Sequence, residues 1–577
     1  MHITVGILRS GDGWTFKSQV KERMNNCSTR SAVLFVMAIL LAVSAMGQIK
    51  AEPQTSESIG GRWVGEYHLD GKATYISLTF KVAKDSVSGE MISPLEDNPE
   101  HEPFTALSLD GNRIRFQAQP SNGSTIFEGN VEGGWIRGNA TRENSSGSFE
   151  LIHLVRIDPN LFNNYVGDYK TDQGRFIIVG RTLASLYYFD ELSGRTGPLL
   201  ATSETDFFSG PSNGVSYPVD ARVNFQKDSG AISAVTFSLG GARAVSAKKV
   251  NLYNIEDDIT FQNGKVKLSG QLKIPITAGP YPAVVMLAGS NAQSRYGQDC
   301  ILGFNADFLA RLGFAVLSYD KRGTGKSTGE REDIGLDGDA LAGIEMLRQR
   351  KDIDPKRIGI WGLSEGSMIA PQVAAQTRIA FIVNVSGDVV RGDQQEIDRV
   401  ELQLRADGFP EDQIREAVAF QRLKFDYALT GQDWEQYLAA YNKYKDRKWF
   451  PDPYVGPPSS KDDSAFEEWR TGASSLSPGD YWAKYKNPAL FFYGEFETYS
   501  KPSSDIALLK EAMKKAGNTH YAIAIIPGAE HTMRQAKTGG PRELPYLNRF
   551  VPAYFDTLRD WLRKTAMVGS DAAIPRR

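Results

Sequence analysis

The pattern of apolar and polar positions divides the chain near residue 250. Between about residues 58 and 250, short runs alternate apolar with polar side chains, and Gly, Asn, Asp or Ser interrupts them about every 8–12 residues. A period of two places one face of a strand against a core and the other against water. This half is therefore predicted to be all-β, with antiparallel strands in sandwiches or barrels. Representative runs are Tyr75–Phe80, Arg113–Phe116 and Arg175–Val179.

Two similar segments divide this β half into modules. Gly61–Tyr67, with the sequence GRWVGEY, and Tyr165–Tyr169, with the sequence YVGDY, each open a series of strands. We therefore predict one β module over residues 58–156 and a second over residues 160–250. The opening segment of the first module is similar to the first strand of a lipocalin.

From residue 252 onward, strands alternate with helices. The strands are near-continuous apolar runs, which is typical of a parallel sheet covered by helices on both faces. A charged and aromatic stretch, about residues 390–482, interrupts the alternation and has helical patterns over Glu411–Leu429 and Trp434–Lys445. An insertion of this length between two strands predicts a cap or lid over the site. The predicted strands are Pro282–Leu287, Phe314–Tyr319, Arg357–Gly362, Phe381–Val385, Ala489–Tyr493 and Tyr521–Ile526.

The N-terminal residues have the pattern of an export signal. Basic residues between positions 21 and 30 precede an apolar run at 33–47, and small residues occur at its end, around Ser44–Gly47, and again at Ala51. This order is typical of a secretory signal peptide, whereas a membrane span needs about 20 apolar residues. We therefore predict that residues 1–51 are a signal peptide with an N-terminal extension. The mature protein is expected to be periplasmic or secreted, without a stable membrane span; an uncleaved N-terminal anchor is the alternative.

Composition narrows the class of protein without giving its activity. The 577 residues carry 66 Lys and Arg against 69 Asp and Glu, a formal net charge of −3. A nucleic-acid-binding protein needs a clustered basic surface, which this near-neutral balance argues against. The two cysteines, Cys27 and Cys300, allow neither a disulfide framework nor a Cys-rich zinc module. Because the histidines show no ligand spacing either, no metal and no cofactor are expected.

The strongest motif is Gly362-Leu363-Ser364-Glu365-Gly366, which follows a predicted apolar strand and precedes a helical segment. This is the G-x-S-x-G pattern of a nucleophile elbow. The turn from strand to helix is so tight that its flanking positions leave no room for side chains, which explains Gly362 and Gly366. Ser364 then projects above the N-terminus of the helix, where developing negative charge is favoured. The pattern predicts that Ser364 is a catalytic nucleophile.

A serine hydroxyl needs a general base, and position favours His531. Of the six histidines, four lie in the signal region or the β half, and His520 opens the last strand at the end opposite the expected site. The acid is expected after the preceding strand, in the chain order serine, acid, histidine. Glu497 is preferred there. Glu495 in the same loop and Asp388 after the strand before it stay open as alternatives.

Two backbone N–H groups are needed to stabilise the oxyanion of a tetrahedral intermediate. One is predicted to come from Glu365, the residue after the nucleophile. The other is predicted to come from the loop Ala288–Asn291, where Ser290 is the preferred donor. Both groups act through the main chain, so their side chains say little about this role.

Together these residues resemble the α/β-hydrolase superfamily over about residues 252–566. The likeness is closest to bacterial exported serine hydrolases related to the serine aminopeptidase and dienelactone-hydrolase groups. The family's acid is usually Asp where this chain has Glu497, and the loop at Asn291 lacks a further Gly that is common there. Asp320 and Arg322 resemble the family's turn-stabilising pair. The matching pieces are Gly289-Ser290, Tyr319–Ser327, Gly362–Gly366 and Gly528–His531.

The resemblance implies acyl transfer to water, in which Ser364 attacks a carbonyl, His531 moves the proton and water releases the acid. The fold hosts enzymes for esters, thioesters and peptides, and we favour esters of small or medium acyl groups. The alternative is a serine peptidase of aminopeptidase or dipeptidyl-peptidase type with the same triad. Glu401, Glu411 and Glu416 in the cap are candidates to hold its substrate's free amino terminus. An alternative of another class is a non-catalytic protein whose β half captures a ligand.

Overall fold

The computed structural model describes residues 59–83, 86–92, 101–119, 123–330, 335–471 and 477–566. The predicted signal peptide and extension, residues 1–51, therefore lie outside the described residues. Within the described part, no helix is long and apolar enough to cross a membrane.

The first described part is an antiparallel sheet of nine strands. Its strands are β1 Gly61–Leu69, β2 Lys72–Ala83, β3 Ser86–Ile92, β4 Glu102–Pro103, β5 Ala106–Asp110, β6 Arg113–Ala118, β7 Thr125–Glu132, β8 Trp135–Arg142 and β9 Ser145–Leu154. They lie in the order β4-β3-β2-β1-β9-β8-β7-β6-β5. Trp63, Tyr67 and Phe116 are buried in a hydrophobic core that the sheet encloses.

The next part is a closed barrel of eight antiparallel strands, preceded by a short helix α1, Phe162–Tyr165. The strands are β10 Gly167–Lys170, β11 Phe176–Arg181, β12 Leu186–Asp190, β13 Thr196–Ala201, β14 Asp206–Ser209, β15 Ala221–Asp228, β16 Ala231–Leu239 and β17 Val245–Val250. Each strand pairs with the next along the chain, and β17 closes the barrel against β10. Tyr169, Tyr188 and Phe225 fill its interior.

The remaining part contains an eight-stranded mixed sheet. Its strands are β18 Tyr253–Asn263, β19 Val266–Pro275, β20 Tyr281–Leu287, β21 Ala315–Tyr319, β22 Ile353–Leu363, β23 Ile382–Val385, β24 Ala489–Gly494 and β25 Tyr521–Ile526. They lie in the order β18-β19-β21-β20-β22-β23-β24-β25, and the pairs from β21 to β25 are parallel.

Helices cover both faces of this sheet, since neighbouring strand residues enter two different cores. Val284 packs in one core with α2 and α11, whereas Val285 packs in the other with α3 and α10. The helices are α2 Ile301–Arg311, α3 Leu336–Arg348, α4 Glu365–Gln376, α5 Gly392–Ala406, α6 Glu411–Thr430, α7 Trp434–Tyr444, α8 Ser464–Thr471, α9 Pro478–Trp482, α10 Pro502–Ala516 and α11 Pro552–Thr565. The predicted fold class, an α/β-hydrolase fold behind an all-β region, is confirmed.

The hairpin of β18 and β19 is an element that the apolar pattern does not predict. Both strands are antiparallel to their neighbours, and β18 forms the edge of the sheet. Glu256 is half-buried and Asp257 and Asp258 are exposed at this edge, so the strand lacks the continuous apolar run of a buried parallel strand. The apolar pattern therefore predicts Pro282–Leu287 as the first strand of this half, whereas the sheet already begins with β18.

The insertion between β23 and β24 consists of helices α5 to α9. Two of its helices, α6 and α7, lie where the sequence predicts helices over Glu411–Leu429 and Trp434–Lys445. Phe420, Tyr437 and Trp449 are almost fully buried in an aromatic core within this insertion. The large rings therefore stabilise the insertion itself.

The barrel is attached to the mixed-sheet part by main-chain hydrogen bonds. The N–H of Thr196 donates to the carbonyl oxygen of Asn548 at 2.8 Å, and the N–H of Phe550 donates to the carbonyl oxygen of Gly194 at 2.9 Å. Phe189 of the barrel also packs against Phe304 of α2, with ring centroids 5.3 Å apart. The two parts therefore share a packed interface.

Candidate active site

Ser364 occupies a sharp turn between β22 and α4. Its backbone has φ 54° and ψ −121°, a conformation that residues other than glycine rarely adopt. A Cβ at Gly362 would lie 2.6 Å from the carbonyl oxygen of Gly366, and a Cβ at Gly366 would lie 2.3 Å from that of Leu287. Both flanking glycines are thus required by close backbone contacts. Within the described residues, the Ser364 side chain makes no capping hydrogen bond to α4.

His531 and Glu497 form a buried pair on neighbouring loops. Oε1 of Glu497 lies 2.8 Å from Nδ1 of His531, and their side chains are 0% and 9% exposed. The loops after β24 and β25 come into close contact at Gly494. A Cβ there would lie 2.5 Å from the carbonyl oxygen of Ala529, so the close approach requires glycine. The same Glu497 oxygen accepts the N–H of Tyr499 at 2.9 Å, which holds the carboxylate in place.

One main-chain and one side-chain hydrogen bond bring the histidine loop to the strand edge that carries Ser364. The N–H of Ser364 donates to the carbonyl oxygen of Val385 at 2.9 Å. The next residue, Ser386, donates its hydroxyl to the carbonyl oxygen of His531 at 2.7 Å. Ser364 and His531 are therefore tethered to adjacent residues at the carboxyl end of β23. This is the edge where active sites of open α/β sheets lie.

The ionisation of the Glu497–His531 pair is set by opposing effects. Burial disfavours the charged carboxylate, but the imidazole of His531 holds the pKa of Glu497 below its ordinary value. Burial likewise disfavours the imidazolium, but the charge of Glu497 raises the pKa of His531 above 6.5. Because the anionic Glu497 accepts a hydrogen bond from Nδ1 of His531, the second ring nitrogen, Nε2, is available for proton transfer.

The two rival acids have other surroundings. The Glu495 carboxylate is exposed and accepts the N–H of Gly528 at 2.8 Å. Asp388 is buried, and among the described residues it makes no hydrogen bond to His531; its Oδ1 has no partner there. Burial and the negative charges of Asp505 and Glu497 raise the pKa of Asp388, which favours a neutral carboxylic acid.

The two segments predicted to supply oxyanion N–H groups lie close together. A Cβ at Gly289 would lie 3.4 Å from Cβ of Ser364, so the loop that bears Ser290 passes beside the serine. Glu365 begins α4 directly after it. Nζ of Lys321 donates to the carbonyl oxygen of Gly289 at 3.3 Å and lies 2.6 Å from the Glu365 carboxylate. Lys321 therefore ties the two segments together.

Lys321 and Tyr499 are site residues that the sequence analysis did not assign. The ring of Tyr499 lies over His531 with centroids 4.4 Å apart, and its carbonyl oxygen accepts Nε2 of Gln395 on α5. The insertion thus reaches the histidine through one tyrosine. Lys321 follows β21 at the same sheet edge, and this position is the one signal in the sequence that favours a role.

Asp320 and Arg322 contact different partners among the described residues. The Asp320 carboxylate accepts Nη2 of Arg295 at 2.9 Å and the N–H of Arg295 at 2.8 Å. Nη2 of Arg322 instead donates to Asp339 at 2.7 Å. Asp320 therefore anchors the far end of the loop that carries Ser290.

The three cap carboxylates considered for a peptide amino terminus are already paired. Glu401 lies 2.8 Å and Glu411 3.1 Å from Arg405, and Glu416 lies 3.3 Å from Arg447. Over the described ranges, no cluster of three or more His, Cys, Asp or Glu side chains has an arrangement that would hold a metal ion.

Comparison with known proteins identifies relatives of this half of the chain. The family model described as the alpha/beta hydrolase fold matches residues 282–532. Esterase EstD of Thermotoga maritima is 34% identical over 143 residues, which are 23% of this chain and 32% of that protein. Thiohydrolase aneE of Aspergillus aculeatus is 31% identical over 125 residues, 21% of this chain and 37% of that protein. The chain thus spans about a third of the length of these curated relatives.

Solved structures give a more distant likeness. A structure of the Pyrococcus furiosus esterase Pf2001 is 18% identical, and the alignment covers 54% of this chain and 92% of that one with a TM-score of 0.35.

Proposed function

We propose that this chain, whose residues 282–532 belong to the α/β-hydrolase superfamily, is a serine hydrolase that cleaves carboxylic esters. The observation that carries the proposal is the buried 2.8 Å contact between Glu497 and His531. The histidine loop is tethered beside the turn that bears Ser364. A strained serine, a buried carboxylate and a buried histidine, in that order along the chain, are the parts of a nucleophilic triad.

In the proposed mechanism, Ser364 attacks the ester carbonyl while His531 accepts the hydroxyl proton. Glu497 holds the imidazole in one tautomer and offsets the positive charge that forms on it. The N–H groups of Glu365 and Ser290 donate to the oxyanion of the tetrahedral intermediate. The protonated His531 then gives its proton to the leaving alcohol. Water attacks the acyl-enzyme by the same route and releases the acid.

Lys321 acts as a positioning residue in this proposal. Its contacts with the Gly289 carbonyl and the Glu365 carboxylate hold the two oxyanion segments at a fixed separation. Donors fixed in advance stabilise the transition state without a reorganisation cost during the reaction.

The substrate class proposed is an ester with a small or medium acyl group. The arginine pairing of Glu401, Glu411 and Glu416 weighs against a cap pocket for a free amino terminus. An ester therefore fits these surroundings better than a peptide does. We also propose that the protein acts after export, as the pattern of residues 1–51 predicts.

The activity is expected to fall on the acid side with a midpoint above pH 6.5. The base works only as neutral imidazole, and Glu497 raises the pKa of His531 above its ordinary value of 6.5. The proton therefore stays on the histidine to a higher pH than usual, and kcat/KM rises as pH passes that raised pKa. The measurement is kcat/KM for a p-nitrophenyl ester between about pH 5 and 9. Glu497→Gln is expected to move the midpoint toward lower pH; an unmoved midpoint would argue against this coupling.

A substrate panel tests the proposed activity. The mature chain, from about Glu52, is assayed against p-nitrophenyl esters of increasing acyl length and against aminoacyl p-nitroanilides. Ester turnover that exceeds anilide turnover is expected. Anilide turnover above ester turnover favours the peptidase alternative. No turnover of either substrate favours the non-catalytic alternative.

A further inference from the structure

A cavity lies between the barrel and the first strands of the mixed sheet, away from Ser364. Its volume is about 230 Å³. The barrel wall contributes Ile178 and Arg181, and the opposite side contributes Lys273 of β19 and Phe304 of α2. None of its lining residues is Ser364, His531 or Glu497, so the cavity is separate from the proposed triad.

Lys273 places a buried amine at this cavity. The residue is 6% exposed, and among the described residues its amine makes a single hydrogen bond, to the hydroxyl of Tyr253 at 3.2 Å, and lies 4.5 Å from the centroid of the same ring. A lysine amine carries up to three donors, and unpartnered buried donors cost free energy. The other N–H groups of the Lys273 amine therefore have no hydrogen-bond acceptor among the described residues.

The neighbouring acidic groups are committed to other partners. Asp307 accepts Nε of Arg311 at 2.8 Å and the Tyr253 hydroxyl at 2.5 Å. Asp257, the other lining carboxylate, accepts amide donors from Asn163 and Gln271. Within the described ranges, no carboxylate lies within ion-pair distance of Lys273.

Asp168 does not compensate Lys273 either. Burial and the charge of Asp307 raise the pKa of Asp168 well above its ordinary range, which favours its neutral form. Burial opposes ionisation of Asp307 as well, but Arg311 and Lys273 hold the pKa of that carboxyl below its ordinary value. Of the two carboxyl groups, Asp307 is therefore the charged one, and it bonds directly to Arg311 and not to Lys273.

The rest of the lining combines polar side chains, such as Gln271 and Arg295, with apolar ones. Ile178 and Phe304 are 2% and 1% exposed, and Tyr296 also lines the cavity, with the guanidinium of Arg181 5.4 Å from its ring centroid. An apolar protein cavity of about 150 Å³ holds a benzene molecule, so this larger cavity has room for a ring or a short chain with one polar end.

We propose that this cavity binds a small carboxylic acid with an apolar body, whose carboxylate accepts hydrogen bonds from Nζ of Lys273. The ring or chain packs against Ile178, Phe304 and Tyr296. The proposal does not depend on the hydrolase activity, because the lining residues and the triad are different sets.

Calorimetric titration of the mature chain with benzoate tests the site, with benzamide as its neutral counterpart. Benzoate is expected to bind at least about tenfold more tightly than benzamide, because only the anion accepts charge-assisted hydrogen bonds. Lys273→Met is expected to lower benzoate affinity by about tenfold or more. The matched control is Lys267→Met, an exposed lysine on the same strand, and it is expected to bind benzoate as the parent chain does. Equal affinity for benzoate and benzamide, or unchanged affinity in Lys273→Met, overturns the proposal.

A second measurement locates the ligand without a variant. Crystals of the unmodified chain soaked in 4-bromobenzoate are expected to show anomalous bromine density in the cavity, with the carboxylate on Lys273. Bromine density elsewhere and none in the cavity overturns the proposal, whatever the hydrolase assays show.

Discussion

Ser364→Ala is expected to lower kcat for ester hydrolysis by roughly 10⁴–10⁶-fold. Alanine removes the attacking oxygen, and with it the covalent route through an acyl-enzyme. The oxyanion donors are main-chain groups of other residues, so some rate enhancement over water is retained. The measurement is steady-state hydrolysis of the best p-nitrophenyl ester.

The control for this substitution is Ser503→Ala, which removes the hydroxyl of an exposed serine on α10. Its kcat is expected to match that of the parent chain. Circular dichroism spectra that coincide for all three proteins exclude misfolding as the cause. A Ser364→Ala enzyme that keeps kcat within about tenfold of the parent would assign the nucleophile to another residue.

Glu497→Gln is expected to lower kcat by about 10³–10⁴-fold. The amide no longer offsets the imidazolium charge, and its NH₂ group is able to hold His531 in the wrong tautomer. The substitution acts on the 2.8 Å hydrogen bond to Nδ1 of His531, in which the carboxylate is fully buried. The readout is kcat with the same ester.

The two rival acids provide matched controls for Glu497→Gln. Glu495→Gln changes an exposed carboxylate two residues earlier, whose partner is the N–H of Gly528. Asp388→Asn replaces a buried acid whose raised pKa favours the neutral form, so an amide of nearly the same shape preserves its state. Both variants are expected to keep kcat within about tenfold of the parent. A larger loss in either rival than in Glu497→Gln would transfer the acid to that residue.

The fold class was predictable because its two signals are local. Alternation with a period of two indicates the β half, and continuous apolar runs indicate the parallel strands after residue 281. The edge hairpin of β18 and β19 escaped this reasoning because three consecutive acidic residues, Glu256–Asp258, interrupt the apolar pattern of β18. Closure of the barrel by pairing of β17 with β10 depends on contacts between residues about 80 positions apart, such as Asp168 and Val250.

The candidate site was predictable to a different extent for each residue. The turn that carries Ser364 is encoded by five consecutive residues between a predicted strand and a helical segment, so one stretch of sequence suffices to propose the nucleophile. The choice among Glu497, Glu495 and Asp388 depends on how two loops meet, and periodicity carries no such information. Lys321 and Tyr499 have no motif of their own; their contacts with Gly289, Glu365 and His531 arise from packing of distant segments.

Covalent labelling of the mature chain with a fluorophosphonate tests most directly that Ser364 is an activated nucleophile. The reagent reacts with a serine whose hydroxyl is deprotonated by a neighbouring base, and mass spectrometry of the digested protein locates the adduct. The predicted result is one adduct, on the peptide that contains Ser364, which disappears in Ser364→Ala. Absence of any adduct, or an adduct on another residue that persists in Ser364→Ala, would contradict the proposed mechanism.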